Sequence, residues 1–325
     1  MGYNRENAAK VRQELDRRRQ EAIETARVRT LELHEKFPVI YKIDCELSKT
    51  GMLVMDEIAK GGDDLADRIN DIKLDNTALR EQREELLIRE GYPPDYSDIK
   101  YCCPLCSDTG FVGTEMCSCM KKMLTEEGFR SAGISKLIET QSFDTFSLSY
   151  YSDNEQAYRL MKTYLSICRR YAENFEPGKS ENMLFCGNTG LGKTHLSTAI
   201  ARVVVEKGYD VCYNSAQNII NDFEAERFGK AYGERDVSSL DKYFSSDLLI
   251  IDDLGTESVN QFTVSCIYNI INTRVVSGKP LIISTNLTHD DVRKKYSDRI
   301  ASRLFGEFNT LQFQGRDVRF LKLGD

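Results

Sequence analysis

Residues 182–197 read NMLFCGNTGLGKTHLS and contain the spacing G-x-x-x-x-G-K-T between an apolar run and a stretch of helical apolar spacing. Glycines allow a tight turn whose backbone N–H groups face one point, and the following helix adds its positive end there. Lys193 can reach the outer phosphates of a nucleotide, and the Thr194 hydroxyl can hold Mg²⁺. The stretch therefore predicts a nucleoside triphosphate site formed by Gly187, Asn188, Thr189, Gly190, Leu191, Gly192, Lys193, Thr194 and His195.

Two other apolar runs end in polar side chains. Asp252 and Asp253 close one aliphatic run, and Asn286 closes another. Because the carboxyl ends of parallel strands meet at one edge of a sheet, we expect these groups beside the phosphate loop. Asp252 is expected to hold Mg²⁺, directly or through water. Asp253 would orient or deprotonate the attacking water, and Asn286 would bond that water or the γ-phosphate.

Four cysteines have the spacing of a metal site, since two residues separate Cys103 from Cys106 and one separates Cys117 from Cys119. The residues between the pairs include two glycines and favour a hairpin that brings the pairs together. Four thiolates about 2.3 Å from Zn²⁺ would form a closed structural site, which supplies folding energy to a segment too short for a core. Cys102 is an alternative to Cys103 as a ligand, and unliganded thiols or a redox pair are the alternatives to zinc.

The pattern around the phosphate loop alternates between strand and helix, which predicts a doubly wound α/β sheet with its ligand at the carboxyl ends of the strands. Strands are expected at 184–186, 209–214, 247–252 and 281–286. Helices are expected at 123–133, 154–175, 194–207, 215–232 and 261–277.

Residues 134–151 form an irregular, aromatic approach to this core. Such a segment can pack beside the base of a nucleotide, but Phe143 and Phe146 could equally belong to the ordinary core. The sequence leaves both interpretations open.

The amino-terminal third contains only helical patterns, at 4–36, 38–59 and 64–89, with a break at Gly61-Gly62 and a stop near Pro93-Pro94. The second helix either breaks near Gly51 or passes through it. A solvated structural bundle is one interpretation. A docking module for another protein is the favoured one, because a nucleotide-binding core does not need these helices to fold.

Composition sets broad limits on the function. The chain has 325 residues, a net charge of −7 and ten cysteines. Its length favours two or more domains, and its charge indicates that any nucleic-acid site is a local patch. It has no apolar run long enough for a membrane span and no secretory signal pattern at its start, so we expect a cytoplasmic protein with free or metal-bound thiols.

Several basic residues could act on phosphates. Arg299 and Arg303 lie four apart on one helix face, and Arg316 and Arg319 follow in a glycine-containing strand or turn. An arginine near phosphate can stabilise transition-state charge in its own or a neighbouring subunit, whereas a lone arginine on a helix is normally solvated. Two interpretations apply to four further basic residues, which either contact DNA or lie on a solvated surface: Lys279, Arg293, Lys294 and Lys295.

The chain resembles the DnaC/DnaI-type bacterial helicase loaders and the related IstB-type transposase helper ATPases. The resemblance lies in the segments GNTGLGKTHLSTAIA, LLIIDDLGTE, LIISTNL and DRIASRL, preceded by SFDTFSLSYY. Both belong to the initiator clade of AAA+ ATPases. The resemblance covers about residues 140–321. The cysteine cluster ahead of this region is similar to the zinc-binding region of DnaI-like loaders, although its fourth ligand here is a cysteine.

The resemblance implies an AAA+ sheet with strand order 5-1-4-3-2 and bound ATP and Mg²⁺. It assigns the Walker A motif to 187–194, Walker B to Asp252 and Asp253, sensor 1 to Asn286, the arginine finger to Arg303 and sensor 2 to Arg319. An aspartate at 253 stands in place of the usual glutamate, which resembles DnaI, and we expect slow ATP hydrolysis by the chain alone. Because such a finger acts in the site of the next subunit, the resemblance also implies ATP-dependent oligomers.

We therefore expect a helical helicase-docking domain at 1–95, a four-cysteine zinc knuckle at 96–122, a linker at 123–150 and an AAA+ ATPase domain at 151–325. The leading hypothesis is ATP-dependent loading of the hexameric replicative DNA helicase onto single-stranded DNA by a spiral of this chain, with no membrane partner. The alternatives are an IstB-type transposition helper that assembles on duplex DNA, and a nucleotide switch that scarcely hydrolyses ATP.

Overall fold

The computed structural model describes residues 3–229 and 240–321, which form two compact units. One unit comprises residues 12–120, and the other comprises residues 3–11 together with the chain from 121 onwards. None of the helices in the described ranges has the length and apolar character that crossing a bilayer requires.

The unit at 12–120 contains most of α1 (Arg5–Lys36) and all of α2 (Pro38–Lys60) and α3 (Leu65–Arg89). α2 continues through Gly51 without a break, and Gly61, at a φ of 63°, ends it. A small core of Leu33, Ile40 and Leu87 joins the three helices, and each of these side chains is almost fully buried.

The predicted hairpin is present between the two cysteine pairs. Strands β1 (Phe111–Val112) and β2 (Glu115–Met116) pair antiparallel. The next helix, α4 (Ser118–Ser131), begins five residues before the predicted position of 123, so that Cys119 lies in its first turn. The last cysteine pair is therefore positioned by a strand end and a helix start rather than by a loop.

The other unit contains a five-stranded parallel sheet of β3 (Met183–Cys186), β4 (Val211–Ser215), β5 (Leu248–Leu254), β6 (Leu281–Thr285) and β7 (Asn309–Gln312). Its order is β4-β5-β6-β3-β7. Numbered from β3 onwards, this is the 5-1-4-3-2 order, so the expected AAA+ topology is confirmed. The aliphatic residues of β3, β5 and β6 are buried, as expected for central parallel strands covered on both faces.

Helices surround this sheet, and polar caps fix where several of them begin. The longer ones are α5 (Glu155–Glu173), α6 (Lys193–Glu206), α7 (Ala216–Gly229), α9 (Gln261–Val276) and α11 (Asp298–Gly306). The shorter ones are α8 (Asp241–Ser245), α10 (His289–Lys295) and α12 (Val318–Leu321). The side chains of Asn154, Asn260 and Ser297 accept hydrogen bonds from the first turns of α5, α9 and α11. The predicted extension of α7 to 232 lies outside the described residues.

The approach segment 134–151 is irregular, as predicted, apart from a 3-10 helix at Leu148–Tyr151. One expectation further along is wrong: Arg319 lies in the short helix α12 rather than in a strand or turn. The N–H of Val318 donates to the carbonyl of Gly190 over 3.0 Å. α12 therefore begins against the phosphate loop.

Candidate functional site

The phosphate loop connects β3 to α6 in a conformation that requires glycine. Gly187, Gly190 and Gly192 have φ values of 143°, 73° and 84°. A Cβ on Gly187 would lie 2.5 Å from the carbonyl oxygen of Phe313, and one on Gly192 would lie 2.8 Å from the ring of Phe146. The loop is therefore closely packed and cannot accept side chains at these two positions.

Lys193 begins α6 and is held against this loop. Its Nζ donates to the carbonyl oxygens of Gly187 and Asn188, both over 2.7 Å, and the residue is only 5% exposed. Burial lowers the pKa of Lys193 below its usual value, while Asp253 and Asp252 oppose that change. The ammonium group thus lies among the backbone groups that would bind a phosphate chain.

The two predicted magnesium ligands are in direct contact. Thr194 Oγ1 donates to Asp252 Oδ2 over 3.0 Å. Two further hydroxyls hold the same carboxylate, since Tyr213 Oη donates to Oδ2 over 2.9 Å and Ser284 Oγ donates to Oδ1. Asp252 is buried, so these donors fix its orientation with little competition from water.

Sequence reasoning did not assign roles to Tyr213 and Ser284. Both lie inside buried strands, β4 and β6, where a hydroxyl needs a hydrogen-bond partner. A hydroxyl-bearing residue within an apolar run could therefore have been recognised in the sequence as one that needs a partner. The sequence alone does not identify that partner.

Asp253 has an unusual backbone that brings a second carboxylate to the same site. Its φ is 54°, and the pairing of β5 with β6 shifts register between Ile251 and Leu254. Consecutive strand residues normally point to opposite faces, and this bulge changes that alternation. The Asp253 N–H donates to Ser284 Oγ over 2.9 Å, which anchors the bulge. Asp253 is exposed as a whole residue, but partial desolvation of its carboxylate, and next the charge of Asp252, raise its pKa.

A cavity of about 220 Å³ extends from the phosphate loop to the approach segment. Lys193, Thr194 and Asp253 line it at the loop, and Phe146 and Tyr151 are among the residues that line it elsewhere. Tyr151 Oη donates to the carbonyl of Leu191 over 3.1 Å, which ties the segment to the loop.

The core interpretation of the aromatic segment holds for both phenylalanines. Both rings are buried in the hydrophobic core, and Phe146 also lines the cavity whereas Phe143 does not. The cavity thus offers a phosphate-binding end and an aromatic end.

His195 lines the same cavity but bonds to the approach segment. Its Nε2 lies 2.8 Å from the carbonyl oxygen of Ser142 and 3.3 Å from Thr145 Oγ1. Its ring packs edge-on against Phe146, with ring centres 5.2 Å apart. These contacts hold the approach segment on the first turn of α6.

The carboxyl-terminal segment forms another wall of the cavity. The Asp317 carboxylate packs directly against Gly190 and accepts a hydrogen bond of 2.9 Å from the Arg319 N–H, which caps α12. The Arg319 side chain is exposed and lines the cavity with Val318. Arg319 therefore lines the same cavity as the phosphate loop. Arg316 instead pairs with Asp153 over 3.3 Å.

Asn286 follows β6 directly and is exposed. The preceding residue, Thr285, accepts a hydrogen bond of 3.2 Å from the N–H of Gly187, so Asn286 lies next to the start of the phosphate loop. It does not line the 220 Å³ cavity.

Arg303 is held by side chains of α9, away from the cavity lining of its own chain. Its Nη2 and Nε donate to Asn272 Oδ1 over 2.8 and 3.1 Å, and its guanidinium lies 4.9 Å from the ring centre of Tyr268. Arg299 lies one turn earlier on α11 and is exposed. Arg303 is thus the more rigidly oriented of the two arginines.

Three of the four candidate DNA contacts have partners within the chain. Lys279 Nζ donates to the carbonyl of Ser245 over 2.6 Å, Arg293 pairs with Asp298, and Lys295 Nζ donates to the carbonyl of Gly255. Lys294 is exposed on α10. This pattern favours the solvated-surface interpretation for most of the patch.

The four predicted zinc ligands come together in the unit at 12–120. The sulfur atoms of Cys103, Cys106, Cys117 and Cys119 all lie within 4.8 Å of one another. Cys103 and Cys117 are 3.8 Å apart, and Cys106 and Cys119 are 3.5 Å apart. Sulfurs placed tetrahedrally about 2.3 Å from zinc would be roughly 3.8 Å apart, so the donor set fits a Zn²⁺ ion.

Asp108 shapes this cluster without joining it. Its carboxylate accepts hydrogen bonds of 2.8 Å from the N–H groups of Cys102 and Cys103, and the residue is only 1% exposed. The Cys102 side chain is exposed, and its sulfur is not in the cluster. The geometry therefore favours Cys103 as the ligand. A backbone hydrogen bond from Cys119 lowers the pKa of Cys117, whereas burial raises the pKa of Cys119.

Residues 130–315, more than half of the chain, match the family model described as IstB-like ATP binding protein. The chain belongs to the IstB-like ATP-binding protein family. The phosphate loop, both aspartates, Asn286 and Arg303 all lie within the matched residues of this IstB-like region, whereas Arg319 and the cysteine cluster lie outside it.

Relatives of this IstB-like protein include replication proteins. The replicative helicase loader DnaC of Escherichia coli K12 is 24% identical over 184 residues, which cover 57% of this chain and 71% of the relative. An ATP-binding protein in an insertion sequence of Mycobacterium tuberculosis is 27% identical over 106 residues, covering 33% of this chain and 41% of the relative.

Solved structures are also similar to slightly more than half of this chain. A crystal structure of the DnaC helicase loader has a TM-score of 0.47 at 22% identity, covering 55% of this chain and 99% of that chain. A crystal structure of DnaI has a TM-score of 0.42 at 21% identity, covering 56% of this chain and 92% of that chain.

Proposed function

We propose that this protein is an ATP-dependent loader that places a hexameric replicative DNA helicase onto single-stranded DNA at replication initiation. The observation that carries the proposal is the contact of Thr194 with Asp252 beside Lys193, in a chain whose relatives include proteins named replicative helicase loader. The contact is the arrangement that a triphosphate and its metal need. This role would place the protein in the cytoplasm.

The site supports ATP hydrolysis by the chain's own residues. Thr194 and Asp252 would hold Mg²⁺, which neutralises developing phosphate charge when bound. The N–H groups of 187–194 and Lys193 would bind the phosphates. Asp253 lines the cavity with a raised pKa, so it is a better proton acceptor than a free aspartate and would orient the attacking water. Asn286 would bond that water or the γ-phosphate, and Arg319 would contact the nucleotide from α12.

Hydrolysis would be completed by a second copy of the chain. Arg303 lies outside the cavity of its own chain and is oriented by Asn272, so it suits a finger that reaches a neighbouring site. A spiral of such contacts would expose a surface for single-stranded DNA. ATP binding would favour assembly, and hydrolysis would favour release.

The helices of 1–95 would form the helicase-docking domain. Several large apolar side chains of α2 are exposed, including Met52 at 66%, Met55 at 74% and Ile58 at 56%. Exposed apolar groups close together on a helix are typical of a protein-binding surface. The four-cysteine segment at 96–122 would hold Zn²⁺ as a structural ion, and 123–150 would link it to the ATPase domain at 151–325.

Size-exclusion chromatography with the cognate replicative helicase tests this proposal. We expect a stable complex with ATP and Mg²⁺, and delivery of the helicase onto a fork with a single-stranded gap. A double substitution of Met52 and Met55 by serine should weaken the complex, whereas Val276→Ser, which changes an exposed residue of α9, should not. The absence of any complex with the wild-type protein would reject the loader function.

A transposition-helper ATPase is the second candidate. The family description and the insertion-sequence relative from Mycobacterium tuberculosis favour it. Such a protein would form filaments on duplex DNA without a helicase, which electron microscopy with ATP would reveal. A nucleotide switch is the third candidate. It would bind ATP but show the same negligible turnover in the wild type and in Asp253→Ala.

A further inference from the structure

A buried aspartate beside the cysteine cluster binds the main chain of two adjacent cysteines. Asp108 is only 1% exposed, and each of its carboxylate oxygens accepts one main-chain hydrogen bond. Oδ2 accepts from the N–H of Cys102 and Oδ1 from the N–H of Cys103, both over 2.8 Å. Consecutive N–H groups of an extended strand point in opposite directions, so the chain must bend for both to reach one carboxylate, and it bends at Cys102. The carboxylate therefore fixes the backbone at both cysteines.

The turn that carries Asp108 has an unfavourable backbone conformation. Ser107 and Asp108 have φ values of 51° and 55°, which are uncommon for residues other than glycine. The N–H and the hydroxyl of Thr109 both donate to the carbonyl of Cys106, over 3.0 and 2.6 Å, and so close this turn. Conformations of this kind persist only where surrounding contacts hold them, and they are concentrated at functional sites. Here the turn directs the Asp108 carboxylate back to the start of the cysteine segment.

The fixed backbone decides which of two adjacent sulfurs lies in the cluster. The sulfur of Cys103 is 3.8 Å from that of Cys117, whereas Cys102 is exposed and its sulfur is not in the cluster. Consecutive side chains leave the main chain in different directions, so exchanging the two sulfurs would require this backbone to move. That movement would take the two N–H groups away from Asp108. A buried carboxylate that loses its donors costs free energy, so the exchange is opposed.

We propose that Asp108 is the positioning residue that selects Cys103 over Cys102 as a ligand of the metal. This inference rests on the proposed zinc site and goes beyond it by naming the residue that chooses between two available thiols. Asp108→Asn keeps the size of the side chain but leaves only one acceptor oxygen for the two N–H groups. It should bind Zn²⁺ about 10- to 100-fold more weakly than the wild type in competition with a chelator. Asp98→Asn, which changes an exposed aspartate ahead of the cluster, should keep the wild-type affinity.

Absorption spectroscopy of the full-length protein loaded with Co²⁺ separates ligand selection from a general loss of structure. The charge-transfer absorbance from thiolate to Co²⁺ increases with the number of bound thiolates. Cys103→Ser should lose the contribution of one thiolate, because Asp108 keeps Cys102 away from the metal. Adding Asp108→Asn to Cys103→Ser should restore that contribution, since Cys102 can then turn towards the cluster. Adding Asp98→Asn instead should restore nothing. A variant that merely destabilises the fold would not gain a ligand.

Alkylation of the wild type loaded with Zn²⁺ requires no variant to fold. Iodoacetamide should label Cys102 and leave Cys103 protected, as peptide mass spectrometry would show, and the opposite pattern would overturn the inference. If Cys103→Ser keeps the full charge-transfer absorbance, or if adding Asp108→Asn restores none of it, the zinc site stands and the role of Asp108 is rejected. If the wild type binds neither Zn²⁺ nor Co²⁺, the zinc site itself fails and the inference fails with it.

Discussion

The hydroxyl of Ser284 joins the two aspartates of the site, and its removal should affect stability and turnover together. Its Oγ donates to Asp252 Oδ1 and accepts from the N–H of Asp253 over 2.9 Å. Ser284 lies in β6 and is 0% exposed. Because of that burial, water cannot readily replace the hydroxyl in Ser284→Ala.

The size of the effect follows from the two lost bonds. A hydrogen bond to a charged group contributes about 1.5–3 kcal/mol, and a buried N–H left without an acceptor costs about 1–3 kcal/mol. The two losses share one side chain and are not fully additive, so we expect Ser284→Ala to lower the free energy of unfolding by about 2–4 kcal/mol. Without its anchor, the bulge at Asp253 should relax, and ATP turnover should fall about tenfold or more.

Urea unfolding followed by circular dichroism, together with steady-state ATP turnover, measures both effects. Ser265→Ala is the matched control, since this exposed serine of α9 donates its hydroxyl to the carbonyl of Gln261 over 2.9 Å and does not contact the site. It should change the free energy of unfolding by less than about 0.5 kcal/mol. If Ser284→Ala unfolds like the control and hydrolyses ATP at the wild-type rate, Ser284 does not hold the aspartates.

Three further predictions concern Asp253, Arg303 and the cysteine cluster. The pKa of Asp253 is raised in the folded state, so the wild type loses stability as pH rises from the usual aspartate pKa through the raised value. Asp253→Asn should therefore unfold at a higher urea concentration than the wild type at pH 8 but not at pH 3, and it should lose ATP turnover. A difference in unfolding midpoint that is the same at both pH values would contradict this. Arg303→Ala should keep its affinity for ATP but hydrolyse it about 100-fold or more slowly than the wild type. Asn272→Ala, which removes the side chain that orients Arg303, should hydrolyse ATP about three- to tenfold more slowly. Unchanged turnover in both variants would reject the arginine-finger role. Mass spectrometry of the native protein should find one zinc ion per chain in the wild type and little zinc in Cys106→Ser. A zinc content below about half an equivalent in the wild type would argue against the metal site.

The sequence predicted the placement of side chains best where the residues are close together in the chain. The glycine loop, Lys193 and Thr194 are contiguous, so their geometry follows from a local turn and a helix start. Asp252 was identified because it ends a buried aliphatic strand, and parallel strands bring such ends to one edge. The resemblance supplied the strand order, which local patterns do not contain.

Other parts of the site depend on tertiary contacts that no local pattern encodes. Tyr213 could have faced either side of β4, and only the register with β5 brings its hydroxyl to Asp252. The left-handed backbone of Asp253 results from the bulge between two strands far apart in sequence. The bond of the His195 ring to the carbonyl of Ser142 likewise joins residues that are 53 positions apart in the chain. Asn272 was not identified because its role exists only through Arg303.

The affinity for ATP of the wild type and of Lys193→Ala, measured by titration calorimetry with Mg²⁺, tests the central claim most directly. That claim is that a triphosphate binds between Lys193 and the paired carboxylates at the ends of the strands. We expect the wild type to bind one ATP per chain and Lys193→Ala to bind about 10- to 100-fold more weakly, because a buried charge-assisted contact is lost. Equal affinity in the two proteins would contradict the claim.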